Sequence, residues 1–289
     1  MPTIKEYNVK LKSLKNTKKI TKTMKMVSAS KLRRAQQAQV NAKSYAQNIT
    51  GMISRISASL EPNSHPLLKT SETLKKALIL VVTSDRGLCG AFNNNANKQV
   101  LSWFNENQKN YTQIDLSCCG KKGFMFLKRR INIKMNYENV TITPKFADAI
   151  RIGKEIIESF TKGEYSEVFI VYNQFLSPIS QKTVFEKILP IDPKALVKEK
   201  STKSSVYDFE PDQSALLEFL IPHFLFFKIY FALLENSAGE HGARMSAMDN
   251  ATKNASDMID RNTLLRNRAR QASITKELIE IVSGAEALK

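Results

Sequence analysis

The chain has 289 residues, enough to bury at least one sizeable core. Its 42% hydrophobic and 25% charged composition excludes an intrinsically disordered chain. The net charge of +17 is concentrated at one end: residues 1–60 hold thirteen Lys/Arg against the single acid Glu6, a local charge of +12 that leaves +5 for the rest. A block of that kind attracts an acidic partner such as nucleic acid, an anionic membrane or an acidic protein surface.

The first predicted element is a long helix. All nine prolines are Pro2 or lie between Pro62 and Pro222, and from Thr3 to Leu60 only Gly51 interrupts helix-compatible sequence. Such a helix is about 80 Å long at roughly 1.5 Å per residue, too long for a compact domain of this size, so it is expected to project as a shaft. Ile4, Tyr7, Leu11 and Leu14 recur at spacings of three and four, a helix seam. The apolar positions continue as Ile20, Met24, Val27, Leu32 and Ala35, then Ala42, Ala46, Ile49, Ile53, Ile56 and Leu60. This narrow stripe, surrounded by Lys and Gln, suits one or two partner helices.

Glu61–Thr73, with two prolines, reads as a linker. Beyond it the pattern changes. Ala77–Thr83 is a short, β-branched apolar run, as a buried strand requires, and Ile114–Cys119, Glu167–Tyr172 and Thr183–Leu189 behave similarly. Helical stretches at Asn93–Asn107 and Pro144–Lys162 separate several of them, which predicts an α/β layer with a largely parallel sheet. Lys194–Ser205 reads as a second linker. The last segment places Met245, Met248, Thr252, Ala255, Ile259, Asn262 and Leu265 three or four apart, then Ala269 and Ala272. It ends with Ile274, Leu278, Ile281 and Val282 on roughly one side. The economical arrangement is an antiparallel pair of helices from opposite ends of the chain. The predicted organisation is a shaft helix over 1–60, an α/β head over 74–200 and a second shaft helix over 212–289.

The motifs offer little bond-making chemistry. Ser84-Asp85-Arg86-Gly87-Leu88-Cys89-Gly90 precedes a helix, a place where backbone N–H groups bind phosphate. Its spacing is not GxGxxG, however, and GxxxxGK[ST] occurs nowhere. A tight strand-to-helix turn, with Ser84-Asp85 as turn and cap, is the simpler reading. Gly120-Lys121-Lys122-Gly123 is too short for a phosphate loop. His65, His223 and His241 are scattered, and Cys89, Cys118 and Cys119 have no metal spacing and no disulfide framework. No catalytic, cofactor or metal residue is assigned. The apolar run Leu216–Leu234 contains Glu218, Pro222, His223 and Lys228, and so does not cross a bilayer cheaply. With no signal-like start, a soluble chain in a reducing compartment is expected. A basic coiled coil that binds nucleic acid and a nucleotide-dependent α/β enzyme are the rival classes.

Three stretches carry a resemblance: TKKITKTMKMVSASKLRRAQ (Thr17–Gln36), TSDRGLCGAFN (Thr83–Asn93) and RARQASITKELIEIVSGAEAL (Arg268–Leu288). In order and end to end, they resemble the gamma subunit of F-type ATP synthase. The resemblance implies a long antiparallel coiled coil of the terminal helices plus a central Rossmann-like α/β domain. It also implies the role of central rotor shaft, with no catalysis of its own. The implied partners are a ring of alpha and beta subunits around the shaft, an epsilon subunit and a ring of c subunits turned by proton flow. By position it implies beta-subunit contacts at Lys19, Lys22, Met24 and Lys25, set beside Arg268, Arg270, Gln271, Thr275 and Glu277 on the opposing helix. The chloroplast type's inserted cysteine pair is not seen, so thiol switching is not expected. The chain opens directly on the family start, so a peripheral location on the cytoplasmic face of a bacterial inner membrane is expected.

Overall fold

The computed structural model describes residues 3–57, 65–69, 75–192 and 213–286. Helix α1 spans Ile4–Ser57, and the last helix, α5, spans Gln213–Glu286. Between them lie β1 (Lys76–Val82), α2 (Phe92–Asn107), β2 (Gln113–Cys119), α3 (Lys121–Leu127), β3 (Asn132–Tyr137), α4 (Phe146–Thr161), β4 (Glu167–Ser177) and β5 (Ser180–Leu189). The predicted linker Lys194–Ser205 lies outside the described residues. So do the side chains of Ala46, Ile53, Ile56 and Leu60. Glu61–Thr73 is described only over 65–69, where Pro66–Leu68 forms one 3-10 turn.

The chain divides into two compact units: Met1–Ser28 with Arg244–Lys289, and Ala29–Ala243. Both α1 and α5 run through both units.

In the second unit the five strands form one sheet in the order β3-β2-β1-β4-β5. β1 pairs in parallel with β2 and β4, β2 in parallel with β3, and β5 closes the far edge antiparallel to β4. Successive strand residues point to opposite faces, and β1 supplies both cores. Leu78, Leu80 and Val82 pack with Ile152 and Ile156 of α4 and with Leu225, Ile229 and Leu233 of α5. Ala77, Ile79 and Val81 pack with Val100 of α2 and Leu127 of α3. A strand buried on both faces favours apolar residues throughout, which is why β1 is readable as a continuous run from Ala77 to Val82.

Two elements were not anticipated. α3 and β3 lie in the sequence KKGFMFLKRRINIKMNY, and β3 is an edge strand with exposed polar residues and no apolar run. Pro222 lies inside α5. Proline removes one intrahelical N–H donor and crowds the preceding turn. Here the apolar side chains around it, Leu220, Ile221, Phe224 and Leu225, are buried, and that packing holds the helix through it.

In the first unit, α1 and α5 run antiparallel. Lys18 Nζ donates to Ser256 Oγ at 2.9 Å, Thr252 Oγ1 to Thr21 Oγ1 at 2.8 Å, and Lys25 Nζ to Asp249 at 2.6 Å. As residue numbers rise on one helix they fall on the other. The α1 seam is Ile4, Tyr7, Leu11, Leu14, Lys18, Thr21, Lys25 and Ser28, all buried or half-buried. This corrects the expected stripe. Ile20 and Val27 are 59% and 50% exposed, because a strict seven-residue repeat keeps Lys18, Thr21, Lys25 and Ser28 facing the partner helix. On α5, Met245, Met248, Thr252, Ala255, Ile259 and Asn262 form the matching seam as anticipated, whereas Ala272 is exposed.

Candidate functional site

Open α/β sheets bind ligands where the strand order reverses, outside the carboxyl ends of the strands. Here that point lies between β1 and β4, and the chain's own residues fill it. Asn236 of α5 donates from Nδ2 to the carbonyl of Thr83 at 3.1 Å, and Asn173 of β4 donates to the carbonyl of Phe92 at 3.0 Å. Gly239 of α5 packs so closely that an added Cβ would lie 2.9 Å from the Phe92 ring.

The loop after β1 is tied to itself and to its neighbours. Ser84 N donates to Asn93 Oδ1 at 2.9 Å. The Asp85 carboxylate accepts from the backbone N–H groups of Lys121 and Asn139, each at 3.2 Å, and from the Thr141 hydroxyl at 2.8 Å. Asp85 thus caps the amino end of α3 from a distance in sequence and fastens the loop after β3. The expected turn is present, and its polar groups are spent on structure.

The three cysteines are all free and buried. Burial pushes the Cys118 thiol up to about 12 and the Cys119 thiol well above its ordinary value. A thiol must ionise to react. The native chain is therefore expected to resist maleimide labelling at mildly alkaline pH, and all three thiols to react once it is unfolded in denaturant. Mass spectrometry of the labelled chain checks this, and rapid modification of Cys118 or Cys119 in the native state contradicts it.

The residues that the resemblance assigns to contact lie on the helical unit. Lys19 and Lys22 are exposed, Met24 is half-buried, and Lys25 is paired with Asp249. Arg268, Arg270, Gln271, Thr275 and Glu277 are all exposed. The two groups do not face each other as the resemblance implied. The register sets Lys25 against Asp249 and Lys18 against Ser256, so the first group lies opposite the middle of the α5 seam. From Ile274 onward every described residue of α5 is exposed, including Ile274, Leu278, Ile279, Ile281 and Val282. By the antiparallel register, α1 ends before it reaches them. Among the described residues no second helix covers this apolar tip, and an exposed apolar cluster of that kind is suited to contact.

A two-helix coil with an apolar tip and exposed lysines, and a sheet crevice filled by the chain's own helix, point to a class of protein that works by contact with other chains rather than by binding a small ligand. Residues 3–288 match the family model described as ATP synthase. The chain is 44% identical over 289 residues to the ATP synthase gamma chain of Trichlorobacter lovleyi, with both chains covered in full. Against that of Pelotomaculum thermopropionicum it is 43% identical over 290 residues, again with both covered in full. Among solved structures it is similar to a chain of the Tetrahymena thermophila mitochondrial ATP synthase central stalk and c-ring. There the TM-score is 0.60 and the identity 26%, with 80% of this chain and 99% of that one covered. A chain of the Euglena gracilis mitochondrial ATP synthase shares the fold, with a TM-score of 0.69 at 19% identity and coverage of 99% and 94%. The chain belongs to the ATP synthase gamma-chain family. Its role is that of the family, a non-catalytic subunit of the central stalk of a rotary motor. These matches lend the nucleic-acid alternative no support. Among the described residues, no helix is long and apolar enough to cross a membrane.

Proposed function

We propose that this chain turns with a proton-driven c-subunit ring and carries that rotation to the alpha and beta subunits, with an epsilon subunit alongside. Residues 1–60 and 212–289 act as the shaft in this reading and 74–200 as the head, on the cytoplasmic face of a bacterial inner membrane. The full-length match at 44% identity to a gamma chain is the observation that carries it. The contact surface for beta subunits comprises Lys19, Lys22, Met24 and Lys25 on α1, and Arg268, Arg270, Gln271, Thr275 and Glu277 on α5. The solvent exposure of most of these supports that assignment. Lys22 and Lys25 differ in role. Lys25 is held by Asp249 within the coil, whereas Lys22 is exposed.

Lys22→Glu is therefore the cleaner test. Reversing Lys25 would set a carboxylate against Asp249 and weaken the coil itself. An exposed ion pair is worth about 0–1 kcal/mol, so a single contact leaves assembly intact while biasing one rotational state against another. In reconstituted vesicles the variant is expected to lower ATP-driven proton pumping about threefold while hydrolysis stays within about twofold of the unmodified complex, as an energy of that size allows. Equal pumping in variant and unmodified vesicles would remove Lys22 from the contact surface. An unmodified complex that hydrolyses ATP without pumping would remove the rotor reading itself.

A further inference from the structure

Where α5 crosses the sheet, its buried face changes character. Ala232, Leu233 and Leu234 are apolar and buried, but the next two residues, Glu235 and Asn236, are 3% and 0% exposed and polar. The Glu235 carboxylate accepts the backbone N–H of Phe175 in β4 at 2.7 Å and the side-chain amide of Gln39 in α1. Asn236 reaches the Thr83 carbonyl at the end of β1. One turn later the helix has no side chain at all on the same side. A Cβ on Gly239 would meet Phe92, and one on Gly242 would lie 3.1 Å from Pro178 Cα in the turn between β4 and β5.

A helix that only covers a sheet does so with apolar side chains, whose attraction is non-directional and tolerates sliding and rolling. Burying a carboxylate is costly, and burial pushes the Glu235 carboxyl upward against the opposing pull of the Phe175 N–H, Gln39 and Lys43. Hydrogen bonds fix direction as well as distance. Two adjacent residues bonded to the end of β1, to β4 and to α1, followed by Gly239 seated against the Phe92 ring and Gly242 against the β4–β5 turn, oppose rotation of α5 about its own axis.

We propose that Glu235 and Asn236, seated by Gly239 and Gly242, form a torsional lock between α5 and the sheet. Torque that enters the α/β unit passes along α5 through this lock without slip. The lock rests on the central-stalk reading, and its four members are positioning residues that touch no reacting atoms.

The test uses the complete complex in proton-tight vesicles. ATP-driven proton uptake is followed as the opposing gradient grows, and hydrolysis is measured separately with an uncoupler. A lost hydrogen bond of this kind shifts an equilibrium about fivefold. The double variant Glu235→Leu with Asn236→Leu is therefore expected to hydrolyse ATP at the unmodified rate when uncoupled and to start pumping normally. It is then expected to stall at a steady gradient about fivefold lower. Glu235→Gln alone keeps an acceptor for the Phe175 N–H and is expected to restore the plateau. An unchanged plateau in the double variant overturns the lock, as does a proportional fall of pumping and hydrolysis at every gradient. Should the double variant not assemble, Gln39→Leu, half-buried on α1, removes one arm only. Its plateau is expected to fall about twofold, a fraction of the full loss, and an unchanged plateau there overturns the lock equally. If the unmodified complex itself fails to pump, the central-stalk reading falls and the lock with it.

Discussion

Gly120→Ala is expected to destabilise the α/β unit by about 3–4 kcal/mol, the sum of a backbone strain and an overpacking cost. Gly120 lies between β2 and α3 with φ +99, a conformation that side chains rarely adopt. A Cβ there would sit 2.7 Å from the Thr83 carbonyl oxygen and 3.0 Å from the Ser84 carbonyl carbon. Both are backbone atoms of a loop held by several hydrogen bonds, so neither yields as the end of a flexible side chain would. Gly163 separates the two contributions. It ends α4 with φ +72, and nothing lies within 4 Å of an added Cβ. Gly163→Ala therefore bears only the dihedral strain, about 1 kcal/mol. Chemical denaturation of both variants with far-UV detection measures the difference. Equal losses at the two positions would show that the close approach to Thr83 does not matter.

Asp85→Ala is the second large effect. The carboxylate accepts three hydrogen bonds from two parts of the chain: Lys121 N at the start of α3, and Asn139 N and the Thr141 hydroxyl in the loop after β3. Thr141 is fully buried, so its hydroxyl loses its partner without gaining water. Hydrogen bonds to a charged acceptor contribute about 1.5–3 kcal/mol, and leaving buried donors unpaired adds to the loss. A net loss of about 3 kcal/mol is expected, because Asp85 is itself half-exposed and water compensates in part. Asp85→Asn keeps one acceptor oxygen and is expected to lose about half as much. If denaturant midpoints show Asp85→Ala and unmodified protein to be equally stable, the three contacts do not hold the loop.

Much of this architecture is legible in the sequence because burial on both faces favours apolar positions, even though β2 also buries the polar Asp115 and Ser117. β1 and β2 are apolar over most of their length, and their positions follow directly. α3 and β3 escape for the opposite reason. A seven-residue helix is too short to show a period, and an edge strand needs no continuous apolar run. Gly239 and Gly242 are visible only as interruptions of a helix. Their spacing of three, on one side of it, is the signal that a backbone must come close. The seam of α1 is misread where apolar residues and the seven-residue repeat disagree. Ile20 and Val27 draw the eye, yet geometry places Thr21 and Ser28 at the contact. The proposed beta-subunit contacts rest on resemblance, since no property of Lys22 alone separates a contact from a solvated lysine.

The seven-residue repeat of α1 also fixes a handedness. An undistorted α-helix drifts by about 20° per seven residues, so a seam held at seven-residue spacing makes the pair wind about each other in a left-handed sense. A rope laid with one hand tightens when twisted one way and opens when twisted the other. The two-helix coil built on Leu11, Thr21, Lys25 and Ser28 against Met248, Thr252 and Ala255 has the same asymmetry. Twist of one sense presses these side chains together, and twist of the other parts them. The coil is therefore stiffer to turning in one direction than in the other.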